Sequence, residues 1–395
     1  MTQMPELDPA RDVVRRAIAL NEENALAPLK SWKSSHPGQL AIGHMPIYVP
    51  RPLLEAMDCL PVAVFGGGEK EIVRGDSYFQ SYICHVPRST IELGLCGALG
   101  DLDGMIFPAI CDVIRNLSGM WQILFPHVYT AYLDLPQNFR PEVGGRFYRR
   151  ELERISRELA GRGATPCSFD SLRRAIRDEN ERRAALERLS VCRQREPWRV
   201  PASEAYLLTR AGSALPAAEH RKLVDDYLGA VARRAGFARD NVRVVLVGAF
   251  CEQPPLALIR SLERAGCDIV EDDFQLGFTY LAGAIDEDTA DPLDALVRAF
   301  LEKGAATASR YIGEEEKGAA LVRRVRHAGA DGVIFAAASF CDPALLDQPM
   351  LEAALERAGV PYTSFKFAEN TGQFQVIREQ AGAFSDAVRL WEAAP

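Results

Sequence analysis

The sequence predicts two α/β lobes with parallel sheets, joined by a helical segment, on three observations. Short apolar runs alternate with helical patterns in two separate stretches, and such alternation predicts parallel strands with crossover helices. Between those stretches lies a span dense in Arg and Glu, with no strand-like run. The chain has 395 residues, beyond the ~250–300 at which one core usually stops growing.

The elements follow in order. "RDVVRRAIALNEEN" carries apolar residues at spacings of three and four, which predicts a helical packing arm over residues 1–38. From Gln39, "QLAIGHM", a helix from Pro52, "LPVAVFGG", a helix from Pro87, "LDGMIFPAI", a helix from Asp112 and "HVYTAYLDLP" predict a first lobe over 39–143. Residues 144–238, with "RFYRRELERISRELAGRG" and "LRRAIRDENERRAALERL", predict connecting helices whose charges lie on solvated faces and pair within each helix. A second lobe is predicted over 239–395 from "NVRVVLVGAF", a helix from Pro255, "CDIVEDDF", helices near 292–303 and 315–327, "DGVIFAAAS", a helix from Pro349, "PYTSFKF" and a terminal helix from Gln373. The lobes echo one another in Asp103-Gly104-Met105-Ile106-Phe107 and Asp331-Gly332-Val333-Ile334-Phe335, each followed within ten residues by Cys-Asp and a helix. Either two short strands coincide, or a duplicated lobe faces its twin.

Composition narrows the function. Apolar residues make up 48% and charged residues 25%, as in ordinary soluble domains. A net charge of −8 argues against a nucleic-acid or membrane-surface footprint, so small molecules and proteins are the expected partners. The N-terminus lacks a basic region and a long apolar core, and no later segment reaches ~18 uncharged apolar residues, so a cytoplasmic chain without a membrane span is expected. Nine widely scattered cysteines do not suggest a disulfide framework, which leaves metal, redox chemistry or inert core thiols.

Three of these cysteines share a setting. Cys111 and Cys341 follow apolar strands and precede helices, and Cys84 precedes the helix expected at Pro87. In an open parallel sheet ligands bind beyond the carboxyl ends of the strands, and a helix N-terminus favours the thiolate that binds metal or attacks as a nucleophile. Three thiolates from three loops could converge there. Structural zinc usually takes four ligands in CxxC-type pairs, which this chain lacks; an iron-sulfur cluster held by three cysteines is the better match and leaves one iron open.

Cys59, Cys96, Cys167, Cys192 and Cys267 read as small core residues, whereas Cys251, after a strand of the second lobe, could line the cleft. "VFGGGEK" reads as a flexible turn, since it has neither the dinucleotide fingerprint nor the Lys-hydroxyl end of a P-loop, and no GxxxxGK[ST] occurs anywhere. His85 and His127 are expected near the cleft as polar core residues. The aromatics of "DDFQLGFTY" and "PYTSFKF" are either core or the walls of an apolar pocket.

The order of Cys84 before a helix, "PAICDVIRNL", "VGAF" and "FCDP" resembles the 2-hydroxyglutaryl-CoA dehydratase D-component family over nearly the whole chain. Within it, "SYICHVPRSTIELGL" and the chain length are most similar to the smaller cluster-bearing subunits of its ATP-dependent reductases, which dearomatise a benzoyl thioester. The resemblance implies two Rossmann-like lobes with a [4Fe-4S] cluster in the cleft between them, held by Cys84, Cys111 and Cys341. It implies a homologous cluster-bearing partner subunit, a separate ATP-hydrolysing iron-sulfur activator, ferredoxin as upstream donor and an acyl-CoA substrate. Two rival readings stay open: a 2-hydroxyacyl-CoA dehydratase subunit that recycles its electron, and a non-catalytic two-lobed binding or structural module.

Overall fold

A computed structural model describes residues 8–66, 71–248, 254–274, 279–310, 315–368 and 374–392. β1 (Ala41–His44), β2 (Leu60–Ala63), β3 (Gly104–Pro108) and β4 (Tyr129–Leu133) form one sheet in the order β2-β1-β3-β4. β5 (Val242–Val247), β6 (Cys267–Asp272), β7 (Gly332–Ala338) and β8 (Tyr362–Phe367) form a second in the order β6-β5-β7-β8. The pairings between these strands are all parallel. Every residue of β3 and β7 is buried, as continuous apolar runs require of strands covered on both faces.

The helices are α1 (Arg11–Ala25) and α2 (Ala27–Ser35), then α3 (Arg51–Glu55), α4 (His85–Leu95) and α5 (Asp112–Leu124) around the first sheet. Between the sheets run α6 (Arg146–Ala160), α7 (Phe169–Arg195), α8 (Ala202–Ala211) and α9 (Ala217–Val231). The second half contains α10 (Leu256–Arg264), α11 (Pro292–Lys303), α12 (Ala319–Ala328), α13 (Asp342–Ala358) and α14 (Phe374–Glu392).

Two proline-based starts are corrected. α4 begins at His85, and Pro87 is its third residue; α13 begins at Asp342, with Pro343 in the first turn and Pro349 inside the helix. The first turn of a helix has N–H groups with no intrahelical partner, so proline is tolerated anywhere in it and marks the turn rather than its first residue. At Pro349 the helix forgoes one hydrogen bond and continues.

α1 lies against α8 and α9, and Asn21 donates to the Leu207 carbonyl at 2.9 Å. The connecting helices carry the expected internal ion pairs, such as Arg149–Glu153 at 2.9 Å and Arg154–Glu158 at 3.1 Å. Their charge is not all solvated, however. α7 is packed against α3, α9, α11 and β6, and its Arg182 and Arg193 are 1% and 2% exposed. Arg182 donates to both oxygens of Glu179, at 2.8 and 2.5 Å, and Arg193 is paired with Asp272 at the end of β6. A buried guanidinium needs such a partner.

α11 lies between strands of the second sheet in sequence, yet Leu296, Val297 and Phe300 join the core that contains Ile42, Ile106 and Leu133 of the first. Asp291 caps it, accepting from the N–H groups of Leu293 and Asp294, and Arg149 of α6 donates to the same carboxylate at 2.7 Å. A second bridge joins the halves at Tyr48, which follows β1 with φ 71° and places its hydroxyl 2.5 Å from that of Thr307.

The Asp-Gly echo is a repeated device. The backbone N–H of Ala41 donates to the Asp103 carboxylate at 2.7 Å while the N–H of Asp103 donates to the Ala41 carbonyl. Arg243 and Asp331 make the same reciprocal pair, at 2.8 and 2.7 Å. Glycine follows each Asp because a Cβ at Gly104 would stand 2.8 Å from Tyr129, and one at Gly332 would stand 2.7 Å from Phe384.

Candidate functional site

In both sheets the strand order reverses beside the central strand, so β1/β3 and β5/β7 are the topological switch points where a crevice opens beyond the carboxyl ends. β3 ends at Pro108 and β7 at Ala338. Cys111 and Cys341 therefore occupy the same place in the two lobes, each in the third position past its strand. Each is the N-cap of the helix that follows, α5 or α13, with Asp112 or Asp342 as first helical residue. Cys84 is likewise the N-cap of α4, on the crossover from β2 to β3.

The shared position has a chemical consequence. Burial pushes the Cys111 thiol above its ordinary value, the backbone N–H groups of Ile114 and Val113 pull it back, and the Asp112 and Asp342 carboxylates push it up again. Asp342 neighbours Cys341, so the turn carrying the second lobe's cysteine stands within electrostatic reach of Cys111. Cys341 is 6% exposed, and the preceding Phe340 has φ 64°, an unfavourable backbone conformation for a bulky side chain.

The Asp342 carboxylate beside Cys341 thus enters the electrostatics of Cys111, and Cys84 caps the neighbouring crossover helix α4. Among the described residues no three His, Cys, Asp or Glu side chains are gathered into a metal-binding group. As a donor set the three suit an iron-sulfur cluster: they are thiols outside any disulfide, each the N-cap of a helix, and soft sulfur donors suit iron.

The remaining cysteines divide. Cys59 and Cys267 are core residues, 4% and 0% exposed, and burial pushes both thiols up to about 12, which leaves them inert. Cys96 departs from the core expectation: it caps the C-terminal end of α4 and is exposed, because that end of the helix runs out into solvent. Cys167 and Cys192 are half-buried. Cys251, Gly67, Gly68 and Phe278 lie outside the described residues.

His85 is buried at the start of α4, beside Cys84. His127 is exposed just ahead of β4, contrary to its expected place near the cleft. All strands of the sheet run the same way, so a residue preceding one lies at the opposite edge from Cys111. Phe274, Phe365 and Phe367 are core residues of the second sheet.

Sequence reasoning does not single out His44, the last residue of β1, or Arg51 of α3, and both are buried at 3% and 6% exposure. The available signal is a histidine closing the apolar run that becomes the switch-point strand.

Comparison with known proteins adds a family match and three relatives. Residues 46–388 match the family model of the 2-hydroxyglutaryl-CoA dehydratase D-component. The chain is 47% identical over 382 residues to the C subunit of benzoyl-CoA reductase from Thauera aromatica, covering 96% of this chain and 99% of that one. It is 24% identical to the (R)-phenyllactyl-CoA dehydratase beta subunit of Clostridium sporogenes, covering 89% and 92% of the two chains. It is 25% identical to the beta subunit of (R)-2-hydroxyglutaryl-CoA dehydratase from Acidaminococcus fermentans, covering 89% and 93%. Among the described residues no helix is long and apolar enough to cross a membrane.

Proposed function

The chain belongs to the 2-hydroxyglutaryl-CoA dehydratase D-component family, and from that premise we propose that it is the cluster-bearing subunit of an ATP-dependent, ferredoxin-linked benzoyl-CoA reductase in the cytoplasm. One observation carries the choice within the family. Identity to a reductase subunit is 47% over nearly full length, against 24% and 25% to dehydratase beta subunits.

In this reading Cys84, Cys111 and Cys341 hold a [4Fe-4S] cluster in the cleft between lobes spanning 39–143 and 239–395, with 144–238 as connector and 1–38 as arm. When bound, such a cluster supplies single electrons at low potential. The backbone N–H groups of Val113 and Ile114 at the start of α5 offset part of the cost that burial puts on a Cys111 thiolate, and the burial of Cys341 limits access of water to its side of the crevice. The enzyme is completed by a homologous partner that bears its own cluster. The chain contains no P-loop sequence, so ATP hydrolysis falls to a separate iron-sulfur activator fed by ferredoxin.

The net reaction adds two electrons and two protons to the ring of benzoyl-CoA and yields a cyclic dienoyl-CoA. Anaerobic co-expression with the companion subunits, followed by assay with benzoyl-CoA, ATP and reduced ferredoxin, tests it. Net consumption of reductant with a dienoyl-CoA product is expected. Turnover of a 2-hydroxyacyl-CoA to an enoyl-CoA with only catalytic reductant would move the chain to the dehydratase branch.

A further inference from the structure

A cavity of about 30 Å³ lies between the end of β1 and α7, lined by His44, Arg51, Glu179, Arg182, Arg183 and Tyr280 among others. Three of these residues carry a buried polar atom with no protein partner: His44 Nε2, Arg51 Nε and Arg183 Nη1. Unpaired buried groups are uncommon in folded proteins, and three around one small space point to something that pairs them.

The tautomer of His44 specifies what that is. Its Nδ1 lies 2.8 Å from the Met45 carbonyl, which can only accept, so Nδ1 carries the proton and Nε2 presents a lone pair. The two arginine atoms are N–H donors. The missing partner must therefore donate to His44 and accept from a guanidinium. A metal ion would satisfy the histidine but would face three guanidinium groups, Arg51, Arg182 and Arg183, against Glu179 in the lining and Glu55, which is already paired with Arg51 at 3.3 Å. An anion would satisfy the arginines but not a lone pair, and it would require a protonated His44. Burial and the Arg51 charge oppose that, lowering this histidine to about 3.

Volume excludes larger ligands. Sites for small organic molecules take roughly 300–1,000 Å³, whereas a water needs about 10–15 Å³ by this measure. We propose that this cavity is an internal water site, holding one or two molecules that bridge His44 at the end of β1 to Arg51 on α3 or Arg183 on α7. The water ties the switch-point end of β1 to α3 or to the connecting helix α7, at the same sheet edge as Cys111 but separate from the thiols.

The test is a high-resolution structure of the complete anaerobic enzyme. The expected result is an ordered water within hydrogen-bond distance of His44 Nε2 and of Arg51 Nε or Arg183 Nη1. A dry cavity, a side chain of a companion subunit in the space, or an anomalous peak there after bromide exchange would overturn the proposal. In His44→Phe, which removes the acceptor, the bridging water is expected to be lost or displaced and the thermal midpoint lowered. An unmoved water with an unchanged midpoint would also overturn it.

Discussion

Cys111 and Asp112 show how a pair of adjacent side chains divides its work. The thiol takes the N-cap of α5, and the carboxylate takes the first helical position, where negative charge meets unpaired backbone N–H groups. Cys341 and Asp342 repeat the arrangement on α13. Replacing Cys84, Cys111 or Cys341 singly with Ser should abolish iron and sulfide binding, whereas Cys96→Ser, on the exposed end of α4, should retain it; a Ser variant of any of the three with full iron content removes that residue from the ligand set. A second expectation concerns pH. Burial is the largest cause that lowers His44 and His220 to about 3, reinforced by the charges of Arg51 and Arg182 respectively. In the unfolded chain both titrate near 6.5, so between ~3 and ~6.5 the unfolded state binds the additional protons. Their contribution is complete above about pH 6.5 and is lost as pH falls toward 3, by up to ~1.4 kcal/mol per pH unit for each. Urea midpoints should drop between about pH 7.5 and about pH 5.5, and His220→Gln should show a shallower drop if this linkage operates. The thiols are legible because each follows an apolar strand and precedes a helix. His44 and Arg182 are not, because burial of a charged residue depends on which helix faces meet.

At the scale of elements, the reciprocal Asp brackets fix the register of the two central strand pairs. Asp103→Ala leaves the Ala41 N–H without its carboxylate and also removes the acceptor of Lys33, 2.7 Å away on α2; a loss of about 1–3 kcal/mol in urea unfolding is expected. No change in stability would mean that water replaces the carboxylate at that edge. The eight strands are readable because each is a short apolar run bounded by turn residues. Helix starts are less so: proline at 87 and 349 suggests a first residue, yet proline also tolerates a third or an interior position. The docking of α11 into the first core cannot be read at all, since its apolar stripe says that it packs but not against which sheet.

Over the whole molecule, two sheets of the same strand order place Cys111 and Cys341 at equivalent positions, each capping the helix that follows its central strand. α7, 27 residues long, passes between them and anchors to the second sheet through Arg193 and Asp272. Its own buried pair is a sensitive point: Arg182→Met strands the Glu179 carboxylate in the interior and should cost about 3–5 kcal/mol, measured as a lowered unfolding midpoint, whereas a neutral result would imply that Arg51 and Arg183 suffice to hold Glu179. The plan of two parallel α/β sheets and the place of the cysteines ahead of helices are open to sequence reasoning because local patterns encode them. The meeting of the lobes rests on long-range packing that no local pattern carries. The most direct measurement is iron and sulfide analysis with electron paramagnetic resonance on the anaerobically purified chain. The account predicts a coloured protein with one [4Fe-4S] cluster per chain, lost in Cys111→Ser and Cys341→Ser alike; a colourless protein that cannot be reconstituted with iron and sulfide would contradict it.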